Sequence, residues 1–270
     1  MHVHRLDDDV AVLADQADVP GLGTLPVNAF VVGRKDALVI DSGLSTPGTG
    51  FLDALASVVD PQDVGWVWLT HPDRDHTGGL WELLDAAPHA RLVTTFLGVG
   101  ILSCEYEVPM HRVHLLNPGQ ELAAAGRTFR GIRPPLYDSP ATVGLVDEST
   151  GALFSSDCFG APLEDAEVSA RDDVRGVSEE ELRERQRLWI SVDAPWAQVA
   201  DPVAFGATVD TMRRLAPTSV LSSHLPPLRD AASIARAFDV ASSAPGTTPF
   251  VGPDQHALEA LLATFEPDVG

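Results

Sequence analysis

A chain of 270 residues with 44% hydrophobic content can bury a full core as one large domain, or as one domain with additions. Its 39 acidic against 18 basic residues leave a formal charge of −21, which repels nucleic acid and anionic membrane surfaces and argues against either as a partner. The Met1–Asp7 stretch has no apolar core of signal-peptide length, no apolar run could span a bilayer, and Cys104 and Cys158 lie among apolar or small residues, so a cytoplasmic protein with reduced, buried thiols is expected.

Strands and tight turns are expected over residues 2–46, with short strands at Val10–Ala14 and Val27–Val32. Gly33-Arg34-Lys35-Asp36 then turns the chain into Ala37-Leu38-Val39-Ile40-Asp41. Thr46 to Val59 reads as a helix with Ser45 or Thr46 as its cap. The apolar, β-prone run Val64–Leu69 reads as a buried strand, and Leu80 opens an amphipathic helix to about Ala87. A strand at Ala90–Thr95 and a helical or mixed stretch at 96–107 follow. His111 and His114 stand before the turn Asn117–Gln120 and read as surface histidines, as does His89. Strands near Thr128–Arg133 and Thr142–Val146 precede the turn Asp147–Gly151, which leads into Ala152–Gly160. From Ser178 the pattern is helical, with Glu179, Glu180 and Glu181 on the positive end of the dipole and Trp189 and Trp196 as core or pocket-wall residues. A helix from Pro202 to Leu215, a strand ending on His224, and two helices around 231–243 and 253–265 complete the chain. Alternation of strand and helix is the composition of a layered α/β protein with helices outside the sheets.

The chemistry concentrates in Thr70-His71-Pro72-Asp73-Arg74-Asp75-His76-Thr77-Gly78-Gly79, between a strand end and a helix start. Four potential metal ligands, His71, Asp73, Asp75 and His76, fall within six residues, and a compact turn can aim alternate side chains into one pocket. Imidazole with carboxylate suits first-row transition metals, and four such groups suit two ions better than one. A polar loop with a capping histidine would account for one histidine and one aspartate, not for this density. Asp138, Asp157 and His224 each stand beside a strand farther along.

His-x-Asp-x-Asp-His followed by Thr-Gly-Gly resembles the signature of the metallo-β-lactamase superfamily, normally His-x-His-x-Asp-His. Asp73 replaces its second histidine, and the flavodiiron, oxygen-binding branch carries a glutamate there. Asp138-Ser139-Pro140-Ala141-Thr142-Val143-Gly144 is similar to the family's His-Ser-Pro-Gly-Ser-Val-Gly, and Leu153–Gly160 to the flavodiiron phrase around a bridging aspartate. Ser223-His224 matches the last ligand strand, and the resemblance runs from about residue 3 to 228.

The resemblance implies a four-layer αββα sandwich, with two mixed β-sheets face to face and helices outside. It implies a domain over 1–228, to which 229–270 would add a C-terminal helical extension packed on the same domain. His71, Asp73 and Asp138 would hold a first divalent metal; Asp75, His76 and His224 a second; Asp157 would bridge them. Asp41 is expected to support this corner rather than to ligate.

That set holds four carboxylates and three imidazoles and no thiolate. Such ligands favour iron, with manganese or zinc as other occupants, and make a bound water less acidic than a histidine-rich site would. The first function expected is therefore a non-haem di-iron protein that binds or reduces dioxygen, or uses it on a small substrate, with electrons from a separate donor. The second is a metal-dependent hydrolase of an ester, thioester, lactone or phosphoester, with Asp75 in the catalytic centre, Tyr137 polarising a substrate oxygen and Arg74 facing an anionic substrate or solvent. The third is a non-catalytic metal-binding sensor.

Overall fold

In the computed structural model, which describes residues 1–44 and 50–263, period-two alternation decides where each strand sends its side chains. Strands β1 (His2–Arg5), β2 (Val10–Val19), β3 (Gly23–Val32), β4 (Ala37–Ile40), β5 (Val64–Trp68), β6 (Arg91–Thr94) and β7 (Val113–Leu115) form the first sheet in that order. It is antiparallel from β1 to β4 and parallel from β4 to β7. Strands β8 (Glu121–Ala124), β9 (Arg127–Ile132), β10 (Gly144–Asp147), β11 (Ala152–Phe154) and β12 (Ser219–Leu221) form the second, antiparallel except where β11 meets β12.

Val12, Phe30, Leu38, Trp68 and Val93 point from the first sheet toward Phe129, Leu145, Phe154 and Leu221 of the second, and together form the core between the sheets. Their neighbours Leu13, Val31, Val39, Val67 and Leu92 point the other way. There they pack against helices α1 (Phe51–Ala56), α2 (Leu80–Ala86) and α3 (Phe96–Leu102). Val146, Leu153 and Val220 leave the second sheet on its outer face. They meet α5 (Glu179–Asp193), α6 (Pro202–Arg213) and α7 (Ala231–Ser242), which follow the short α4 (Ala166–Ser169). Helix, sheet, sheet and helix are therefore stacked, as the expected sandwich requires.

Several boundaries differ from expectation for local reasons. β2 and β3 run ten residues each because polar Asp15 to Asp18 are zipped in register to Thr24–Val27 across a hairpin. β7 and β8 lie at the sheet edges, and β7 lacks apolar alternation. The expected helix from Thr46 begins at Phe51, and its expected caps Ser45 and Thr46 lie outside the described residues. Cys158 is buried as expected, but Cys104 is exposed just past α3, where the buried face of that helix is carried by Gly98, Val99 and Leu102. His89 and His111 are exposed, while His114 is half-buried with its ring edge-on to Trp66. α7 buries Ile234, Phe238 and Ala241 in the outer core, whereas α8 (Gln255–Ala263) is exposed at its described side chains. Among the described residues, no helix is long and apolar enough to cross a membrane.

Candidate metal centre

Sheet direction places the candidate ligands on one edge of the sandwich. β4 and β5 are parallel and end on Asp41 and on the Thr70–Thr77 loop. β11 and β12 are parallel and end near Asp157 and His224, while antiparallel β10 begins just after Asp138. A hydrogen bond from Val143 N to the Thr70 carbonyl (2.9 Å) ties the Asp138 loop of the second sheet to the first.

The loop after β5 is fixed by its own backbone. The Asp73 carbonyl accepts from His76 N at 3.0 Å, Thr77 N at 3.1 Å and Thr77 Oγ1 at 3.0 Å. Ser42 N and Oγ both donate to the His76 carbonyl, at 2.8 and 2.7 Å, and Gly79 N donates to the Ser42 carbonyl. Gly79 must be glycine because a Cβ would lie 2.2 Å from the Phe51 ring. This stitching commits alternate side chains of the loop to one pocket.

Asp157 sits in the middle, buried and 2% exposed. Its carboxylate lies 3.2 Å from His71 Nε2, 3.0 Å from His76 Nε2 and 3.2 Å from His224 Nε2. On one side, His71 Nε2 lies 3.9 Å from Asp73 and 3.7 Å from Asp138. On the other, Asp75 lies 3.8 Å from His76 Nε2 and 3.3 Å from His224 Nε2. The structure thus brings together all seven residues singled out as ligands: two triads, His71–Asp73–Asp138 and Asp75–His76–His224, with the Asp157 carboxylate within 3.2 Å of the imidazoles of both.

The opposite ring nitrogens are engaged from behind. His76 Nδ1 is 2.8 Å from Asp41 Oδ2, and His224 Nδ1 is 2.9 Å from the Pro26 carbonyl, which can only accept. His71 Nδ1 lies 3.2 Å from Ser156 Oγ. Such contacts fix ring orientation and leave Nε2 turned into the cluster. His71 Nε2 and His76 Nε2 are buried and face Asp157 without a well-formed hydrogen bond, a shortfall that a metal ion between them would remove.

Charge in the cluster is unbalanced. Burial opposes charge on His76 and His224, yet Asp41, Asp157 and Asp75 hold His76 well above the ordinary imidazole range, and Asp157 and Asp75 hold His224 at about 9. Burial opposes ionisation of Asp157, but His71, His76 and His224 keep it well below the usual carboxylate range. At the other end, burial and then the carboxylates Asp157 and Asp73 push Asp138 up to about 6 despite His71. The donors fit metal cations: among the described residues, buried imidazole nitrogens converge with carboxylates that form no ion pair with lysine or arginine, so a metal ion can take the place of the imidazole protons.

Sequence reasoning missed Asp193. This half-buried carboxylate at the end of α5 is grouped with Asp138 and Asp157, their ligand oxygens all within 4.8 Å of one another. Burial, then Asp157 and Asp138, raise it to about 8. An acidic residue in the last turn of a helix opposes the dipole, and that misfit was its one trace in the sequence. Trp189, one turn earlier, packs its ring 4.9 Å from His224 and donates from Nε1 to the Asp157 carbonyl at 3.0 Å. The Tyr137 ring, by contrast, is held between Trp196 and the Arg133 guanidinium.

Gly160 permits this approach, since a Cβ there would lie 2.5 Å from Trp189 Nε1 and 2.9 Å from His224 Cβ. Gly160→Ala is therefore expected to dislodge Trp189 and lower stability by about 1–3 kcal/mol, read by urea unfolding, with a shift in tryptophan emission.

Residues 22–191 match the description "Metallo-beta-lactamase superfamily". The chain belongs to the metallo-β-lactamase superfamily. Among curated relatives, it is 25% identical over 134 residues to the putative diflavin flavoprotein A 1 of Thermosynechococcus vestitus, covering 50% of this chain and 24% of that protein. Among solved structures, it is similar to a histidine-to-aspartate mutant of the flavo di-iron protein from Thermotoga maritima, with a TM-score of 0.75 at 21% identity, covering 90% of this chain and 61% of that one. Rubredoxin oxygen:oxidoreductase from Desulfovibrio gigas gives a TM-score of 0.72 at 18% identity, covering 89% and 61%. The chain thus spans about a quarter of the curated relative and 61% of each of the two solved structures, and the structural likeness speaks for the fold alone.

Proposed function

We propose that this chain is a two-metal enzyme with a carboxylate-rich centre, filled by iron, that binds or reduces dioxygen or uses it on a small substrate. The observation that carries the reading is Asp157, buried between three imidazole Nε2 atoms at 3.0–3.2 Å, with a carboxylate-bearing triad on either side. His71, Asp73 and Asp138 would hold one ion, Asp75, His76 and His224 the other, and Asp157 both. Oxygen-rich donors with imidazole and no thiolate suit iron or manganese better than a softer set would. A bound iron pair supplies redox electrons for oxygen chemistry, and a separate donor must replace them. The names of the similar proteins, a flavo di-iron protein and an oxygen oxidoreductase, support the same direction.

The chain's own residues do the positioning. Asp41 and the Pro26 carbonyl hold His76 and His224 by their Nδ1 atoms, which keeps Nε2 available. Trp189 closes one side against water through its contact with His224. Asp73, Asp75 and Asp138 keep 30–48% of their side-chain surface exposed, so the centre is reached from their side.

A second reading, hydrolysis of an ester, thioester, lactone or phosphoester, is favoured by one feature. A groove of about 460 Å³, lined by Pro72, Asp73, Arg74, Asp75, Ile101 and Tyr106, leaves room for more than a diatomic gas. Arg74 at its rim lies 3.6 Å from Glu105. Metal content per chain on protein purified without chelator, with an anaerobic absorbance spectrum before and after oxygen, separates the readings. Two irons and a new near-ultraviolet or visible band on oxygen exposure are expected. Two zincs without a spectral response would move the assignment to hydrolysis.

A further inference from the structure

We infer that Asp193 is an additional metal ligand, completing the first metal site beside Asp138. The inference rests on the two-metal reading above. Asp138, Asp157 and Asp193 bring their carboxylate oxygens within 4.8 Å of one another, although they come from a loop, a strand end and a helix end far apart in sequence.

An independent observation points the same space toward a cation. His71 is 1% exposed and its Nε2 has no hydrogen-bond partner. That atom faces Asp157 at 3.2 Å and Asp138 at 3.7 Å, so a buried imidazole nitrogen enters the same carboxylate cluster. A divalent ion among the three carboxylates would offset their mutual repulsion, and the imidazole that faces two of them marks the same space as a ligand cluster.

The placement of Asp193 is set by α5. Gln186 donates to the Phe159 carbonyl at 3.1 Å and Trp189 to the Asp157 carbonyl at 3.0 Å. Positions 186, 189 and 193 recur at helical spacing, so the contacts that dock the helix on the Asp157 loop also present Asp193 to it. No lysine or arginine forms an ion pair with Asp193 among the described residues. A hard divalent cation, iron or manganese, is the ligand class that this added carboxylate favours over zinc.

The test compares wild-type protein with Asp193→Asn, each reconstituted anaerobically with ferrous iron or manganese, desalted, and assayed for metal per chain and for metal release to a chelator. Two ions are expected in the wild type. In the variant, one ion is expected to be lost or to be released about 10–100-fold faster, with the circular dichroism spectrum unchanged. Two ions in Asp193→Asn with unchanged release would overturn the inference and leave the two-metal reading standing. Fewer than two in the wild type would overturn both. Should Asp193→Asn fail to fold, anomalous diffraction from manganese-soaked wild-type crystals decides: an ion bonded to an Asp193 oxygen at about 2.0–2.3 Å supports the assignment, and an ion out of bonding range overturns it.

Discussion

Asp157→Asn is expected to reduce metal content from two ions per chain to one at most, measured by elemental analysis after desalting. The asparagine keeps the size of the side chain but removes the charge that faces three buried Nε2 atoms within 3.2 Å. It also replaces one carboxylate oxygen with an amide nitrogen, which has no lone pair free to bind a metal ion. Breaking a buried charge arrangement from one side costs about 3–5 kcal/mol, because the remaining charges keep their desolvation penalty. In metal-free protein that loss is expected in urea unfolding near pH 6.

The sign of the pH dependence follows from the same cluster. His224 rises from its ordinary value to about 9 in the folded chain, so its contribution is complete below about pH 6.5 and is lost as pH rises toward 9. Asp157 is depressed, so its contribution is present above about pH 4 and is lost as pH falls. Metal-free wild type should therefore gain most from this cluster between about pH 4 and 6.5, and Asp157→Asn should flatten that maximum. Metal binding runs the other way. The proton on His224 Nε2 must leave before an ion can bind there, so affinity should weaken about tenfold per unit as pH drops below 9 for each proton displaced.

Asp41→Ala should be the most damaging substitution outside the proposed ligands. The Asp41 carboxylate is 1% exposed and accepts from Thr70 N at 2.8 Å, Thr70 Oγ1 at 2.9 Å and Ser223 Oγ at 3.3 Å, while His76 Nδ1 lies 2.8 Å away. Its backbone has φ of 57°, a left-handed conformation that aspartate and asparagine tolerate better than alanine. Alanine leaves these donors unsatisfied and adds backbone strain. The expected loss is about 3–5 kcal/mol, on the order of 10 °C in melting temperature, with a 10–100-fold drop in metal affinity as His76 loses its orientation. Asp41→Asn keeps an acceptor and the backbone preference, so a smaller stability loss with a comparable affinity loss would separate the two roles.

The fold and most of the candidate centre were legible because they are written locally. Val64–Trp68 and Leu80–Ala86 each carry their own periodicity, and the ligand-dense turn lies between them. Asp138, Asp157 and His224 each stand beside a strand, a weak mark alone; their order behind that turn, and the resemblance of their flanking phrases to the family's, singled them out. Asp193 had no such neighbour: only the docking of α5 through Gln186 and Trp189 brings it to Asp157. The edge strand Val113–Leu115 was missed for a related reason, because its pairing with β6 supplies the order that its short pattern does not. Cys104 was misjudged because apolar neighbours in sequence, Ile101 among them, are themselves exposed.

The edge on which the centre sits has a kinetic meaning. His71 and His76 extend from the first sheet, whereas Asp157 and His224 extend from the second, so ions held between them would act as a removable cross-link of the two sheets. The pocket cannot exist until both sheets have formed and met, which makes metal uptake a late event in folding rather than a nucleus for it. Once loaded, the ions would add their binding free energy to the native state by mass action, and opening the sandwich would first require their release. Amide exchange at the ends of β5, β11 and β12 should then slow together on loading, while exchange at the exposed α8 stays unchanged.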